Sequence, residues 1–418
     1  MRILHTSDWH LGLEYFQRSR REEHETFLSW LLGTIEARNV DVLVVAGDVF
    51  DSTNPPAEAQ HAYYRFLAEL SRLQRTAVVV GGNHDSPSRL DAPREVLAAL
   101  SAEVVGGYLA EREGPLHDPA GVLVPIKRRG AGNEVLGVIA AVPYLHDWKL
   151  GVRGFDASAG DQLASLHDAF RGVYARLADK AEAAFPGVPL VATGHLTCLA
   201  TAGEKPSDED AVPIEINRVG TLGAMGPQVF DPRFGYVALG HIHRGFAVDP
   251  AQRVWYSGTP VQVGSKEPAG VRRVLLVDLD ESGGSVRVEK VSVPVTRRLV
   301  TLSGPLEEVV AKLANMTWAE SELPPYVVVE ALLDKVDLGA RERLRTKAPE
   351  GPGGRAQLVE VQTRIQKAVS EARLAGAPTG EALTPESAFL YAWKARHEGA
   401  EVPEGVMQRF RSLLEGQG

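Results

Sequence analysis

Residues 1–12 read MRILHTSDWHLG. The apolar run at 1–4 is typical of a buried strand, and Asp8 and His10 follow it within a few positions. Because residues two apart in an extended segment project to the same side, both side chains are expected to point inward. This stretch therefore predicts a strand that ends in two side chains able to bind a metal ion.

Four further strings of this kind occur along the chain in a fixed order. They are Gly47-Asp48, Gly82-Asn83-His84-Asp85, Gly194-His195 and Gly240-His241-Ile242-His243. Each one ends an apolar run, at 42–45, 78–80, 190–192 and 236–239 respectively. Glycine lets the backbone turn sharply at these points, and the strand ends of an α/β sheet line one crevice. The scattered strings are thus expected to meet in space.

The residue types in these strings suit one kind of chemistry. A mixture of carboxylate, imidazole and amide oxygen favours manganese, iron or zinc over calcium, and the absence of cysteine ligands argues against a structural zinc. A carboxylate such as Asp48 has two oxygens and can bridge two ions. Two ions about 3.5–4 Å apart can activate a water and polarise a phosphate ester. The strings therefore predict a two-metal phosphoesterase site.

Each of these residues also has a structural interpretation. An Asp or Asn after a strand is usually a turn former or a helix cap, and a lone histidine is more often structural than a ligand. Because five such strings occur in order, the metal-ligand interpretation is favoured over the structural one. Asp51 can support the site or cap a loop, and the cap is favoured. The histidines without a strand-end glycine are interpreted as structural: His24, His61, His117, His146 and His167.

The same strings resemble those of the calcineurin-like metallophosphoesterases, and closely those of DNA nucleases within that family. The blocks that carry the resemblance lie at 1–12, 45–51, 192–197 and 238–244, and more loosely at 293–296. The likeness is dense to about residue 296 and thin afterwards. It implies an α/β fold in which two mixed β-sheets pack face to face with helices outside.

The resemblance also implies the role of each site residue. One divalent ion would be held by Asp8, His10, Asp48 and His243, and a second by Asp48, Asn83, His195 and His241. Manganese is the expected metal. His84 would not bind metal, and would instead stand beside the phosphate and donate a proton to the leaving oxygen. Asp85 could orient His84 from behind.

The chain divides into three parts. Residues 1–296 are expected to form the metallophosphoesterase nuclease domain, with helices at 27–37, 57–73 and 161–184. Residues 297–376 read as a small α+β unit, which by resemblance is a capping domain over the cleft; a unit with no role toward substrate is the alternative. Residues 381–418 follow a linker and read as a helical pair. By resemblance this tail binds the coiled coil of a partner ATPase, and docking on the chain's own cap is the alternative.

Composition sets further bounds. The length of 418 residues suggests two or three domains, and 44% hydrophobic residues can bury a large core. The single cysteine, Cys198, excludes an intrachain disulfide and fits a reducing cytoplasm. No signal peptide and no apolar stretch near ~20 residues is found, so a soluble cytoplasmic protein without a membrane role is expected. The net charge of -9 argues against a free-standing DNA binder.

Small basic clusters, at 18–21, 127–129, 272–273 and 297–298, are either DNA-backbone contacts or simply solvated surface. The charge balance suggests that affinity for DNA comes largely from a partner or a dimer.

The leading hypothesis is a metal-dependent DNA nuclease. The resemblance implies double-strand exonuclease activity and hairpin and single-strand endonuclease activity in repair and recombination, as a homodimer within a heterotetramer that includes the ATPase. A small-substrate phosphodiesterase or phosphatase has the same ligand set, but needs neither cap nor tail. A non-catalytic scaffold at DNA ends is the third candidate, and the complete ligand set argues against it.

Overall fold

The computed structural model describes residues 1–107, 122–130, 134–146, 159–199, 225–249, 251, 253–265, 267, 271–334, 337–365, 385–397 and 400–414. The strands are β1 (Arg2–Thr6), β2 (Glu14–Tyr15), β3 (Arg18–Ser19), β4 (Val42–Ala46), β5 (Thr76–Val80), β6 (Ala102–Val105), β7 (Leu123–Lys127), β8 (Val135–Ala140), β9 (Leu190–His195), β10 (Phe234–Gly240), β11 (Phe246–Ala247), β12 (Val254–Tyr256), β13 (Arg273–Leu279), β14 (Val286–Ser292), β15 (Arg297–Pro305), β16 (Leu323–Leu333), β17 (Glu350–Gly351), β18 (Gly354–Arg355) and β19 (Gln357–Ile365). The helices are α1 (Arg21–Ala37), α2 (Ala57–Arg72), α3 (Pro87–Asp91), α4 (Arg94–Ala98), α5 (Ala159–Ala184), α6 (Leu306–Ala314), α7 (Ala340–Lys347), α8 (Pro385–Arg396) and α9 (Glu404–Leu414). Within these ranges, none of the helices combines the length and the apolar character needed to cross a membrane.

Two six-stranded sheets form the first part of the chain. Their strand orders are β14-β13-β1-β4-β5-β6 and β11-β12-β10-β9-β8-β7. In the first sheet β1, β4, β5 and β6 are parallel, whereas β13 and β14 are antiparallel to their neighbours. In the second, the parallel strands β12, β10, β9 and β8 lie between antiparallel β11 and β7. The predicted fold class, two mixed sheets with helices, is confirmed.

The apolar runs are buried on both faces of the first sheet. In β4, Val42 and Val44 face the core between the two sheets, whereas Leu43 and Val45 face the core beneath α1 and α2. All four are fully buried. Full burial of such a side chain is worth roughly 1.5–3 kcal/mol, which explains why this run is apolar without alternation. The strand ends are thus held by packing on both sides.

The part of the chain that follows residue 296 contains a three-stranded parallel sheet in the order β15-β16-β19. Helices α6 and α7 cover one face of it through a small apolar core that includes Val309, Leu313 and Leu344. The strands predicted at 299–302, 326–332 and 358–365 correspond to β15, β16 and β19. The structure describes this part to residue 365, so the predicted boundary at 376 lies outside the described residues, as does the linker at 375–381.

A buried ion network joins this three-stranded sheet to α1. Glu23 accepts hydrogen bonds from Arg20 at 2.7 Å and from Arg297 at 2.8 Å, and Arg297 also donates to Glu22 at 3.0 Å. Arg20 is fully buried, and Arg297 is 7% exposed. These two arginines are therefore structural, and the interpretation of their clusters as DNA contacts is wrong at these two positions. Helix α1, which contributes Glu22 and Glu23 to the network, begins at Arg21, six residues before the predicted start.

The two tail helices pack on each other. The rings of Phe389 in α8 and Phe410 in α9 are stacked with centroids 4.1 Å apart. Arg411 donates to Glu386 at 2.7 Å across the same pair. The helical pair is present where the sequence places it, and the predicted helix end at Gly399 lies outside the described residues.

His5 joins the two sheets through a buried hydrogen-bonded contact. Its Nδ1 accepts the Tyr236 hydroxyl at 2.8 Å, and its Nε2–H donates to the Leu239 carbonyl at 3.2 Å. A carbonyl can only accept, so the hydrogen of the neutral imidazole lies on Nε2, and Nδ1 is left to accept from the hydroxyl. Burial lowers the pKa of His5 from 6.5 to about 3.

We expect His5 to make the fold sensitive to acid. In the unfolded chain His5 takes up a proton below its pKa of 6.5, whereas in the folded chain it stays neutral. The contribution of His5 to the free energy of unfolding is therefore complete above pH 6.5 and falls as the pH drops. The loss at pH 5 should be about 2 kcal/mol. Urea unfolding of metal-free protein at pH 7.5 and 5.0 measures it, with His5→Gln as the non-titrating control. An equal loss in wild type and His5→Gln would assign the acid sensitivity to other groups.

Candidate metal centre

The predicted ligands lie where the strand ends of the two sheets meet. The Asp8 N–H donates to Gly47 O at 2.9 Å, and the His10 N–H donates to Asp48 O at 3.0 Å, so the loops after β1 and β4 are bound together. The second sheet joins them, because the His241 N–H donates to the Asp8 carboxylate at 2.9 Å. Strings that are far apart in the sequence are thereby fixed around one point.

Several candidate ligands have a left-handed backbone. The φ angle is 52° at Asp8, 48° at His10, 49° at Asp48 and 97° at His241. Each such residue costs on the order of 1–3 kcal/mol and persists where the surrounding structure holds it, which is typical of functional sites. Asp8 and His10 do face the centre, but the expected reason, an extended segment, is wrong. Left-handed turns aim these side chains.

Glycine is required where main chain and ligands approach each other. Gly47 has a φ of 94°, and a Cβ there would lie 2.1 Å from Nδ1 of His195. A Cβ at Gly82 would lie 2.0 Å from Oδ1 of Asp48. Any side chain at these positions would displace a candidate ligand, which explains the glycine in two of the strings.

Four candidate ligands converge on one side of the centre. Nδ1 of His195 lies 2.9 Å from Ala46 O, so in the neutral ring it carries the hydrogen and Nε2 keeps its lone pair, as metal binding requires. That Nε2 lies 3.0 Å from Oδ1 of Asn83 and 3.4 Å from Oδ2 of Asp48. Nδ1 of His241 lies 2.9 Å from the same Asn83 oxygen. Four electron-pair donors that face one another in this way fit a bound cation.

A second group lies beside the first and shares Asp48 with it. Nε2 of His10 lies 3.2 Å from Nε2 of His243 and 3.8 Å from Oδ2 of Asp48. Asp8, His10 and His243 each offer one ligand atom within 4.8 Å of the others. The donor set is thus the mixture of carboxylate and imidazole that divalent transition metals prefer. The two groups of residues, which share Asp48, fit divalent cations.

The electrostatics of the centre stabilise the ionised form of Asp48. Burial lowers the pKa of His195, but the Asp48 carboxylate outweighs burial and raises this pKa to about 9. Burial raises the pKa of Asp48, but His195 and then His10 more than offset it, so the pKa lies well below its usual range. Burial, followed by the charge on His195, lowers the pKa of His241 to about 4. Asp48 is therefore ionised at neutral pH.

Comparison with known proteins agrees with this geometry. The model of the family described as calcineurin-like phosphoesterase matches residues 1–245. The SbcD component of the nuclease SbcCD from Escherichia coli K12 is 35% identical over 341 residues, which cover 80% of this chain and 79% of that protein. The proteins of the same name from Rhodobacter capsulatus and Bacillus subtilis are 34% and 32% identical, and the alignments cover 76% and 66% of this chain and 76% and 66% of theirs. This chain belongs to the SbcD family of calcineurin-like phosphoesterases. Its membership and the groups of Asp and His side chains together support the use of divalent metal ions.

In this member of the SbcD family, His84 lies at the mouth of the centre. Its side chain is exposed, and its ring centroid is 4.9 Å from that of His10. Nδ1 donates its hydrogen to the main-chain oxygen of Asp51 at 2.8 Å, which leaves Nε2 as the outer nitrogen. His84 is close enough to His10 and Asp48 to complete a metal-binding group. Its exposure and its bond to Asp51 favour a role toward substrate instead.

Two supporting residues differ from expectation. The Asp85 carboxylate is buried and accepts the N–H groups of Val49, Phe50 and Gly82 at 2.8–3.1 Å. It joins two loops, and the prediction that it orients His84 is wrong. The interpretation of Asp51 as a simple loop cap is also wrong, because its main chain holds His84 and its carboxylate lies 3.3 Å from Nδ1 of His10.

Sequence reasoning missed residues that support the ligands from distant parts of the chain. Oγ of Ser7 bonds to the Asp8 carboxylate and lies 2.8 Å from Oγ of Ser257. Glu267 bonds to His243. Ser257 and Glu267 follow no strand-end glycine string, so no local pattern in a single sequence could identify them.

Proposed function

We propose that this chain is the nuclease component of an SbcCD-type complex and hydrolyses DNA phosphodiesters at a dinuclear manganese centre. The observation that supports it most strongly is the convergence of all seven predicted ligands on one point in a chain of this family. Asp8, His10, Asp48 and His243 would hold one ion, and Asp48, Asn83, His195 and His241 the other. When bound, the ions polarise the phosphate and activate water.

The residues of the chain then supply position and proton transfer. Asp48 is the residue that would be shared between the ions, and its Oδ1 is held in place by the His84 N–H at 2.9 Å. The imidazole of His84 is anchored through Nδ1, so a protonated ring presents the Nε2–H outward. This geometry suits a general acid that donates to the departing 3′ or 5′ oxygen of DNA.

The remaining modules are assigned by the same proposal. The segment at 297–376 would cap the cleft, and the helical pair at 381–418 would dock on the coiled coil of an SbcC-like ATPase. Two chains and the ATPase would form a heterotetramer on DNA ends, in repair and recombination. The expected location is the cytoplasm, where the thiol of Cys198 stays reduced; it is buried, and burial raises its pKa.

The test is a cleavage assay with the purified full-length chain. End-labelled double-stranded and hairpin DNA are incubated with Mn²⁺, beside bis(4-nitrophenyl) phosphate as a small diester. We expect cleavage of DNA that chelation abolishes and Mn²⁺ restores. An Asp48→Ala preparation excludes a contaminating nuclease, because it lacks the shared ligand. Turnover of the small diester with intact DNA, in the presence of an SbcC-like ATPase as well, would instead favour the small-substrate phosphodiesterase.

A further inference from the structure

Glu267 lies beside the candidate metal centre although it belongs to none of the strings that predict it. Its Oε1 accepts the Nδ1–H of His243 at 2.9 Å. Its Oε2 accepts the Val263 N–H at 3.2 Å and forms an ion pair with Arg272 at 2.8 Å. The side chain is largely buried, with 17% of its surface exposed. Both carboxylate oxygens are thus engaged, and one of them is directed at a predicted ligand.

This contact decides which nitrogen of His243 is free. Because a carboxylate accepts, the hydrogen of neutral His243 lies on Nδ1, and Nε2 keeps its lone pair. That Nε2 lies 3.2 Å from Nε2 of His10, inside the centre. A ring with the other tautomer would present a hydrogen to the cation instead of a lone pair.

The two halves of the centre are supported differently. His195 is oriented by the neutral main-chain carbonyl of Ala46 at 2.9 Å. Carboxylates stand behind both imidazoles of the other half, Glu267 behind His243 and Asp51 at 3.3 Å from Nδ1 of His10. Added negative charge at this distance favours a bound divalent cation. Removal of Glu267 is therefore expected to weaken cation binding at the group that contains His243 and to leave cation binding at the group that contains His195 unchanged.

The loop that carries Glu267 is fixed independently of it. The Thr259 N–H donates to His243 O at 3.2 Å. The Gln262 side chain exchanges two hydrogen bonds with the main chain of Leu299, at 3.2 and 3.3 Å. Because these bonds do not involve Glu267, the loop should keep its path when that side chain is changed.

We propose that Glu267 is a positioning residue that fixes the tautomer and orientation of His243 and so strengthens the binding of the cation held by Asp8, His10 and His243. Arg272 holds the Glu267 carboxylate in place through their ion pair at 2.8 Å. The inference rests on the proposed function, since it requires that these residues bind metal.

The test is Mn²⁺ binding to metal-free full-length protein, measured by calorimetry and by the electron paramagnetic resonance signal of free Mn²⁺. For Glu267→Ala we expect one of two sites to weaken by about 10–100-fold and the other to keep its affinity. Glu267→Gln retains an oxygen that can accept the Nδ1–H and should recover part of the loss. Glu322→Ala is the matched control, because Glu322 is a largely buried carboxylate paired with Arg298 at 2.7 Å, outside the predicted strings.

The results distinguish a failure of the role proposed for Glu267 from a failure of the proposed function. If wild type binds no Mn²⁺, the proposed function fails. If wild type binds two ions and Glu267→Ala weakens both equally, or neither, only the role of Glu267 fails. Thermal unfolding of the metal-free variants supplies the remaining comparison, since a merely structural Glu267 would lower the melting temperature without favouring one site.

Discussion

A His84→Ala variant is expected to bind two Mn²⁺ ions like wild type and to cleave DNA about 10²–10⁴-fold more slowly. Metal binding should survive because the Asp48 carboxylate accepts the main-chain N–H of residue 84, which the variant keeps. Cleavage should fail because the leaving alkoxide of DNA requires a proton. Metal content by mass spectrometry and a DNA cleavage rate measure the two effects.

The leaving group distinguishes proton donation from other roles of His84. The 4-nitrophenolate that leaves bis(4-nitrophenyl) phosphate needs no proton, so this substrate should lose much less rate than DNA does. His61→Ala is the matched control, because His61 is an exposed histidine in α2 away from the predicted strings. Loss of both metals in His84→Ala would make it a ligand, and equal losses on both substrates would exclude the general-acid role.

The fold could be predicted from the sequence because its strands are local patterns. The runs at 42–45 and 78–80 are apolar without alternation, which indicates burial on both faces, and the structure places β4 and β5 in the middle of a sheet. Strand order could not be predicted from the residues alone. It depends on pairings such as that of β1 with β13, in which Arg2 lies opposite Asp278. Neither strand's sequence contains a pattern that identifies its partner.

In the metal centre, too, local sequence patterns identify some features and not others. The residue types and strand-end glycines identify the candidate ligands, since each string is local. The left-handed turns at Asp8 and His10 and the contact from Glu267 come from long-range packing. Basic residues show the same limit, because a single sequence does not distinguish Arg297, buried against Glu23, from an arginine on a solvated surface.

A Gly82→Ala variant is expected to lose both metal ions and, with them, DNA cleavage. The added Cβ would lie 2.0 Å from Oδ1 of Asp48 and 2.3 Å from its main-chain nitrogen, so Asp48 or the Gly82 loop must shift. Because Asp48 is shared between the two groups of ligands, the affinity for both ions should fall by at least about tenfold, as is usual when a ligand loses its support. Calorimetric Mn²⁺ titration measures this.

Gly33→Ala provides the comparison, because a Cβ there meets nothing within 4 Å in α1. That variant should bind both ions normally and be more stable than wild type by about 0.4–1 kcal/mol. Circular dichroism of metal-free Gly82→Ala should show a folded chain, which would exclude unfolding as the cause of the lost Mn²⁺ binding. If a folded Gly82→Ala protein binds both ions with wild-type affinity, the prediction is wrong. The close approach of Gly82 would then not be needed to hold Asp48 in place for metal binding.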